Sequence, residues 1–250
     1  MPAALEVFRQ EESLGAAADL DFALAMLEAV RSGGLGPALR IYRPRPTVAL
    51  GQRDAKLPGF AAAQAACRRQ GFEPLVRKAG GRAAAYHDGC LVLDHVEPDA
   101  DALAGSRRRF ADFGELLARA FRKVGLTAGV GEIPGEYCPG EFTVSGEAPG
   151  GAPGGERIKL AGTAQRVIAG GWLFSSVLVV DNALPLRRVL TDCYAELGLG
   201  WDPRTAGAAR DLAPGLDIAK VQDAVLAAYA GYAPLVDGDF TALRGRVAQH

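Results

Sequence analysis

Cysteine is scarce and scattered in this chain: four residues, Cys67, Cys90, Cys138 and Cys193, with no Cys-x-x-Cys pair among them. That spacing suggests neither a disulfide framework nor a zinc site, and isolated thiols fit a reducing compartment. No charge of one sign dominates either. Lys and Arg number 28 against 29 Asp and Glu, a formal net charge of −1. No global basic field therefore draws the chain to nucleic acid or to an acidic membrane surface. No apolar run reaches the ~20 residues of a bilayer span, and the acids near the N-terminus are unlike a signal peptide. A cytoplasmic protein is expected, with neither nucleic acid nor membrane as partner. Aromatic residues are few, at 7%, but the hydrophobic share of 49% allows a sizeable core. The length of 250 residues suits one large domain or two small ones. There is no internal repeat, and the one low-complexity tract is too short to be a linker. Residues 1–250 are expected to form a single domain.

Leu20, Ala23, Leu24, Leu27 and Val30 recur at helical spacing, and Gly33-Gly34 ends the run. Residues 39–43 and 47–51 read as strands parted by prolines, and 60–70 as an alanine-rich helix followed by a strand over 74–77. Residues 90–96 look like a buried strand, and Phe110, Phe113, Leu117, Ala120, Phe121 and Val124 mark a second amphipathic helix. Strands near 128–133 and 172–180, a helix over 184–197 and a last helix capped by Asp217 complete the reading. Strands outnumber what a βαβ alternation would give. The expected class is α/β in the α+β sense, a mixed, largely antiparallel central sheet flanked by helices.

Chemistry concentrates between Tyr137 and Gln165. Tyr-Cys-Pro-Gly-Glu-Phe-Thr-Val-Ser-Gly leads into a Gly/Pro-rich tip ending at Gly155, and Arg-Ile-Lys-Leu-Ala-Gly-Thr-Ala-Gln returns from it. A tip of that composition holds no helix, so its flanks are expected to pair as a long-looped hairpin. Pairing would bring the Cys138 thiol towards the Lys159 amine, a combination suited to acyl transfer. Each residue alone has a plainer reading. An isolated Cys is commonly a small buried apolar side chain, and a strand Lys is commonly solvated.

A second stretch runs Arg77-Lys78-Ala79-Gly80-Gly81-Arg82 and on to Tyr86-His87-Asp88. Paired glycines let backbone approach a ligand closely, and the neighbouring cations suit a carboxylate, phosphate or thioester carbonyl. Alone, it reads as a solvated turn with His87 a hydrogen-bonded structural histidine. Three stretches in fixed order change this. Arg77 to Asp88 resembles the R-[RK]-x-G-G-x-A-x-x-H segment of the lipoate–protein ligase and octanoyltransferase superfamily, which includes biotin ligases. Lys159 to Gln165 resembles that superfamily's K-x-x-G-x-A-Q element, in which the lysine is essential. Gly170-Gly171-Trp172-Leu173 to Asp181 follows where the family places a strand and a trailing acid. With the N-terminal helix, the resemblance covers most of the chain to residue 195.

Tyr137-Cys138-Pro139-Gly140 decides the branch. ATP-dependent lipoate ligases usually carry an Asn-Asp pair there, whereas this run is similar to the cysteine-dependent octanoyltransferases and to amidotransferases that use glycine cleavage H protein as donor. Thr143 stands where Cys-Pro-Gly relatives commonly carry Asp. The resemblance implies a biotin/lipoate ligase-like catalytic domain with no C-terminal accessory domain. It also implies an enzyme that moves an octanoyl or lipoyl group from an acyl carrier protein thioester or a donor protein. The acceptor would be a lysine on a lipoyl carrier domain, of a 2-oxoacid dehydrogenase or of glycine cleavage H protein. Cys138 would be the nucleophile and Lys159 the acid–base group, provided that burial among Ile158, Leu160 and Ala161 favours its neutral form. Arg77, Gly80, Gly81, Arg82, His87, Gly162, Ala164 and Gln165 would bind substrate, with no metal and no required cofactor. The acyl tail is expected between residues 91–93 and 172–174. The second reading is a lipoate ligase forming lipoyl-AMP, which requires ATP and magnesium. A biotin ligase, whose G-R-G-R-type loop is missing here, and a non-catalytic carrier-binding protein come after it.

Overall fold

The computed structural model describes residues 3–147 and 156–249. Its elements run β1 (Leu5–Gln10), α1 (Ala16–Arg31), β2 (Ala38–Tyr42), β3 (Thr47–Leu50), α2 (Phe60–Arg69), β4 (Glu73–Val76), β5 (Ala84–Tyr86) and β6 (Cys90–Asp99). Then come α3 (Ser106–Lys123), β7 (Thr127–Val130), β8 (Val144–Glu147), β9 (Ile158–Ile168), β10 (Gly170–Val179) and α4 (Ala183–Glu196). The chain ends with α5 (Ala209–Leu212), α6 (Ile218–Tyr229), β11 (Leu235–Gly238) and α7 (Phe240–Val247). Among these described residues no helix is long and apolar enough to cross a membrane.

The main sheet has the order β11-β1-β2-β6-β10-β9-β8-β7. Every pairing from β2 to β7 is antiparallel, while β1 lies parallel to both β2 and β11. The expected mixed, largely antiparallel sheet is present. Strands β1, β5 and β11 and helices α5 and α7 were not foreseen from the sequence. β5 is three residues long, and β1 pairs with β11 across almost the whole chain, so no local pattern signals either.

Alternation divides the residues of the central strands between two faces. From β6 and β10, Leu91, Leu93, Trp172 and Phe174 turn towards α3 and α6, where Phe113, Leu117, Phe121, Val221, Val225 and Tyr229 complete the largest buried cluster. The opposite face carries Val92, Asp94, Leu173, Ser175 and Val177, which line a cavity. That face is bounded by α1 and by a second sheet of order β4-β3-β5, itself packed under α2 and α4 through residues such as Leu50, Ala63, Leu186 and Leu190. The acyl slot expected between 91–93 and 172–174 is corrected by this alternation. Only Val92 and Leu173 of those six residues face the cavity.

β8 and β9 pair antiparallel as the expected hairpin, with residues 148–155 of its tip outside the described residues. The first arm begins at Val144 and runs on through Ser145, Gly146 and Glu147. The ladder is irregular. Val144 faces Ala161 but Ser145 faces Lys159, so Leu160 is an extra residue and β9 bulges there. A bulge re-aims the side chains beside it. Here it places Lys159 and Gly162 on the cavity face together.

Candidate active site

Cys138 sits in the loop between β7 and β8, half-buried, with φ of 44°. That left-handed conformation costs a non-glycine residue about 1 kcal/mol, so the surroundings must hold it. Three contacts do. The Cys138 N–H donates to the Tyr194 hydroxyl at 2.8 Å, and that hydroxyl donates to the Ala83 carbonyl at 2.9 Å. The Cys138 carbonyl accepts from Lys159 Nζ at 2.9 Å. Trp201 braces the assembly, with ring centroids 5.8 Å from both Tyr137 and Tyr194.

The sulfur itself meets the Gly-rich turn. The Arg82 backbone N–H points at Sγ from 3.2 Å and Arg77 Nη2 from 3.6 Å. Both are donors, an arrangement suited to a sulfur carrying negative charge. Gly81 makes the approach possible: its φ is 101°, and a Cβ there would lie 2.8 Å from Sγ. Gly80 has open space around it. The turn is anchored from behind by Asp54, fully buried, which accepts from Arg82 Nη1 at 2.9 Å and from the Gly51 N–H at 2.8 Å. Arg77 donates through Nη2 to the Arg82 carbonyl at 2.8 Å, while its buried Nε has no partner among the described residues.

Lys159 is 2% exposed and has three acceptors: Glu136 Oε2 at 2.7 Å, the Tyr137 carbonyl at 3.0 Å and the Cys138 carbonyl at 2.9 Å. Three acceptors match the three N–H bonds of an ammonium; a neutral amine has only two. Glu136 is buried too, with Oε1 accepting from the Ile133 N–H at 3.0 Å and Oε2 also from Thr143 Oγ1 at 2.8 Å. A lone buried carboxylate is prohibitive, whereas one paired and hydrogen-bonded on both oxygens is tolerated. The side chain opposite Lys159 is thus Glu136, which the sequence reading passed over. A charged residue in a loop reads as solvated, and only its place two residues before Cys138 hinted otherwise.

The structure brings most of the other expected residues together, but not all. Gly80, Gly81, Gly162, Ala164 and Gln165 line one cavity of about 600 Å³ with Arg77, Cys138 and Lys159. Arg82 contributes its backbone at the rim rather than a cavity wall. Gln165 is occupied structurally, donating to the Ser106 carbonyl at 2.7 Å and accepting from Arg109 Nε at 3.2 Å. His87 lies outside the lining. Its ring is buried, with Nε2 2.9 Å from the Asn182 carbonyl and Nδ1 accepting from the Gly89 N–H at 2.8 Å. Both nitrogens serve the backbone, the plainer role open to that residue.

Residues 16–230 match the model of the lipoyl protein ligase A/B catalytic domain. The chain belongs to that family. Among curated members, the octanoyl-[GcvH]:protein N-octanoyltransferase of Geobacillus kaustophilus is 30% identical over 174 residues, 70% of this chain and 58% of that protein. The lipoyl-[GcvH]:protein N-lipoyltransferase of Listeria monocytogenes is 30% identical over 153 residues, 61% of this chain and 52% of that protein. In those matches the chain spans little more than half the length of these ligase A/B relatives. Solved structures share the fold. A lipoate-protein ligase A bound with ATP superposes with a TM-score of 0.72 at 18% identity, covering 99% of this chain and 93% of the other. A putative lipoate protein ligase from T. acidophilum with bound lipoic acid gives 0.71 at 19% identity, covering 99% and 94%.

Proposed function

We propose that this chain is a cysteine-dependent acyltransferase that moves an octanoyl or lipoyl group between carrier proteins. One observation carries the reading: Cys138 Sγ faces two hydrogen-bond donors at the mouth of a largely apolar cavity, on a backbone held in a conformation that cysteine does not otherwise favour. The names of the curated relatives support it. In the first step Cys138 sulfur attacks the donor's acyl carbonyl, and the donor leaves as a thiol or an amine once the tetrahedral oxyanion collapses. The Arg82 N–H and the Arg77 guanidinium, the two donors that face the sulfur, stabilise that oxyanion. In the second step the acceptor lysine's amine attacks the Cys138 thioester; an amide forms and the thiol is released. Lys159, with each N–H engaged, holds the Cys138 loop and can supply a proton to a leaving group; in this resting arrangement it has no lone pair to offer as a base.

The acceptor is a lysine of a lipoyl carrier domain, and the donor is an acylated carrier such as a glycine cleavage H protein or an acyl carrier protein. Neither ATP nor magnesium takes part, since the acyl group arrives already activated or is exchanged amide for amide. The adenylating ligase is the second reading, supported by the fold shared with an ATP-bound ligase. Transfer to an unmodified lipoyl domain from octanoyl-carrier protein, with and without ATP and magnesium, separates the two. Equal transfer in both arms is expected. Modification of the domain from free lipoate, and only with ATP, overturns the proposal.

A further inference from the structure

The inner wall of the cavity is more polar than a plain hydrocarbon tail requires. Strand register lays two rows across β9, β10, β6 and β2. One reads Gly162, Val177, Val92, Tyr42; the other reads Ala164, Ser175, Asp94, Arg40. Three gaps of ~4.8 Å make each row roughly 14 Å long, more than an extended octanoyl chain spans. A Cβ added to Gly162 would lie 3.4 Å from Lys159 Cε, so the rows start at the Cys138 end and finish at Tyr42 and Arg40.

Arg40 is fully buried. It pairs with Asp94 at 3.1 Å and with Asp19, and its guanidinium carbon lies 4.0 Å from the Tyr42 ring centroid. The second oxygen of Asp94 accepts from Ser175 Oγ at 2.7 Å. Charge and carboxylate oxygens are thus satisfied within the protein. Two phenols are not. Tyr42 and Tyr86 line the cavity at 3% and 5% exposure, and neither hydroxyl has a hydrogen-bond partner among the described residues. Burial, then the nearby Asp94, raises the Tyr42 phenol, and burial raises Tyr86 against the opposing pull of Arg77, so both remain protonated donors. What the cavity wall lacks is an acceptor, one able to lie against aromatic rings.

Resting on the acyl-transfer reading, we infer that this cavity selects an acyl group carrying sulfur at its distal carbons, a lipoyl group over an unsubstituted octanoyl group. Dithiolane sulfur is a weak acceptor that packs well on aromatic rings. The tail of octanoyl offers neither property and, on filling the cavity, leaves both hydroxyls unpaired, which a site built around donors penalises.

The test mixes enzyme, without acceptor, with equal concentrations of the octanoyl and lipoyl thioesters of one carrier protein. Intact mass at early times reads the ratio of the two adducts on Cys138, for wild type, Tyr42→Phe and Tyr86→Phe. A lipoyl excess of about fivefold is expected in the wild type, falling towards parity in at least one Phe variant. Parity or an octanoyl excess in the wild type overturns the inference, and so does a ratio that both variants leave intact. Loading by neither thioester overturns the acyl-transfer reading, and the inference with it.

Discussion

At the scale of single residues, the site is a set of compensations around Cys138. Its φ of 44° is strained for any residue with a Cβ. Cys138→Gly should therefore fold at least as stably as the wild type, by up to about 1 kcal/mol in urea unfolding, while losing all transfer. Cys138→Ser keeps the strain and should drop turnover by ~10³-fold or more, since a hydroxyl in a site built for sulfur is a poor nucleophile. Near-wild-type transfer by either variant would remove the nucleophile from its role. Lys159 and Glu136 form a buried pair in which each is the other's compensation. Lys159→Met or Glu136→Leu alone should cost about 3–5 kcal/mol of stability, and the two together distinctly less than the sum of the single losses. Additive losses in that comparison would show that the pair is not coupled. Cys138 and Lys159 were singled out because stretches in fixed order resemble a family; the hairpin pattern alone left their plainer readings standing. Glu136 was not, because nothing local distinguishes a buried carboxylate from a solvated one until its partner is known.

At the scale of elements, α4 reaches Cys138 through one hydroxyl. Tyr194 joins the Cys138 N–H to the Ala83 carbonyl, and Ala83 follows the turn that presents Arg82 to the sulfur. Tyr194→Phe keeps the ring packed on Trp201 and removes only that bridge. It should cost about 1–3 kcal/mol of stability, from two groups left unpaired. It should also lower kcat about tenfold with little change in KM, because the loop loses its fixed geometry while the cavity keeps its shape. A change confined to KM would instead tie Tyr194 to substrate binding. Helices α1, α2, α3, α4 and α6 and the central strands were readable from periodicity. The cavity face was misread because a run such as Leu91-Val92-Leu93 is apolar throughout, and apolarity alone does not say which alternate residue meets the cavity. The β9 bulge was equally silent: Leu160 looks like any strand residue, and its extra count appears only against β8.

At the scale of the whole molecule, the two faces of the sheet respond differently to pH. On the face covered by α3 and α6, His95 is fully buried among Phe113, Trp172, Tyr229 and Tyr232, and burial lowers its pKa from 6.5. The unfolded chain takes up that proton more readily than the folded one, so stability falls as pH drops through 6.5 towards the folded value. On the cavity face burial raises Asp94 from 3.8, which acts in the opposite sense and works against folding as pH rises past 3.8. Between pH 7 and 5 the melting temperature should decline, and His95→Gln should flatten the decline; an unchanged slope in that variant would assign it to other groups. The long-range parallel pairing of β1 with β11 was the part of the architecture least visible beforehand, since parallel partners so distant share no turn to announce them. In the proposed reaction the acyl group passes through one sulfur. Intact mass spectrometry of the protein after incubation with octanoyl-carrier protein, without nucleotide and without acceptor, reads this directly. A single added octanoyl group, located on Cys138, released by hydroxylamine and lacking in Cys138→Ser, is the predicted result. An unmodified protein that still transfers the group to a lipoyl domain would contradict it.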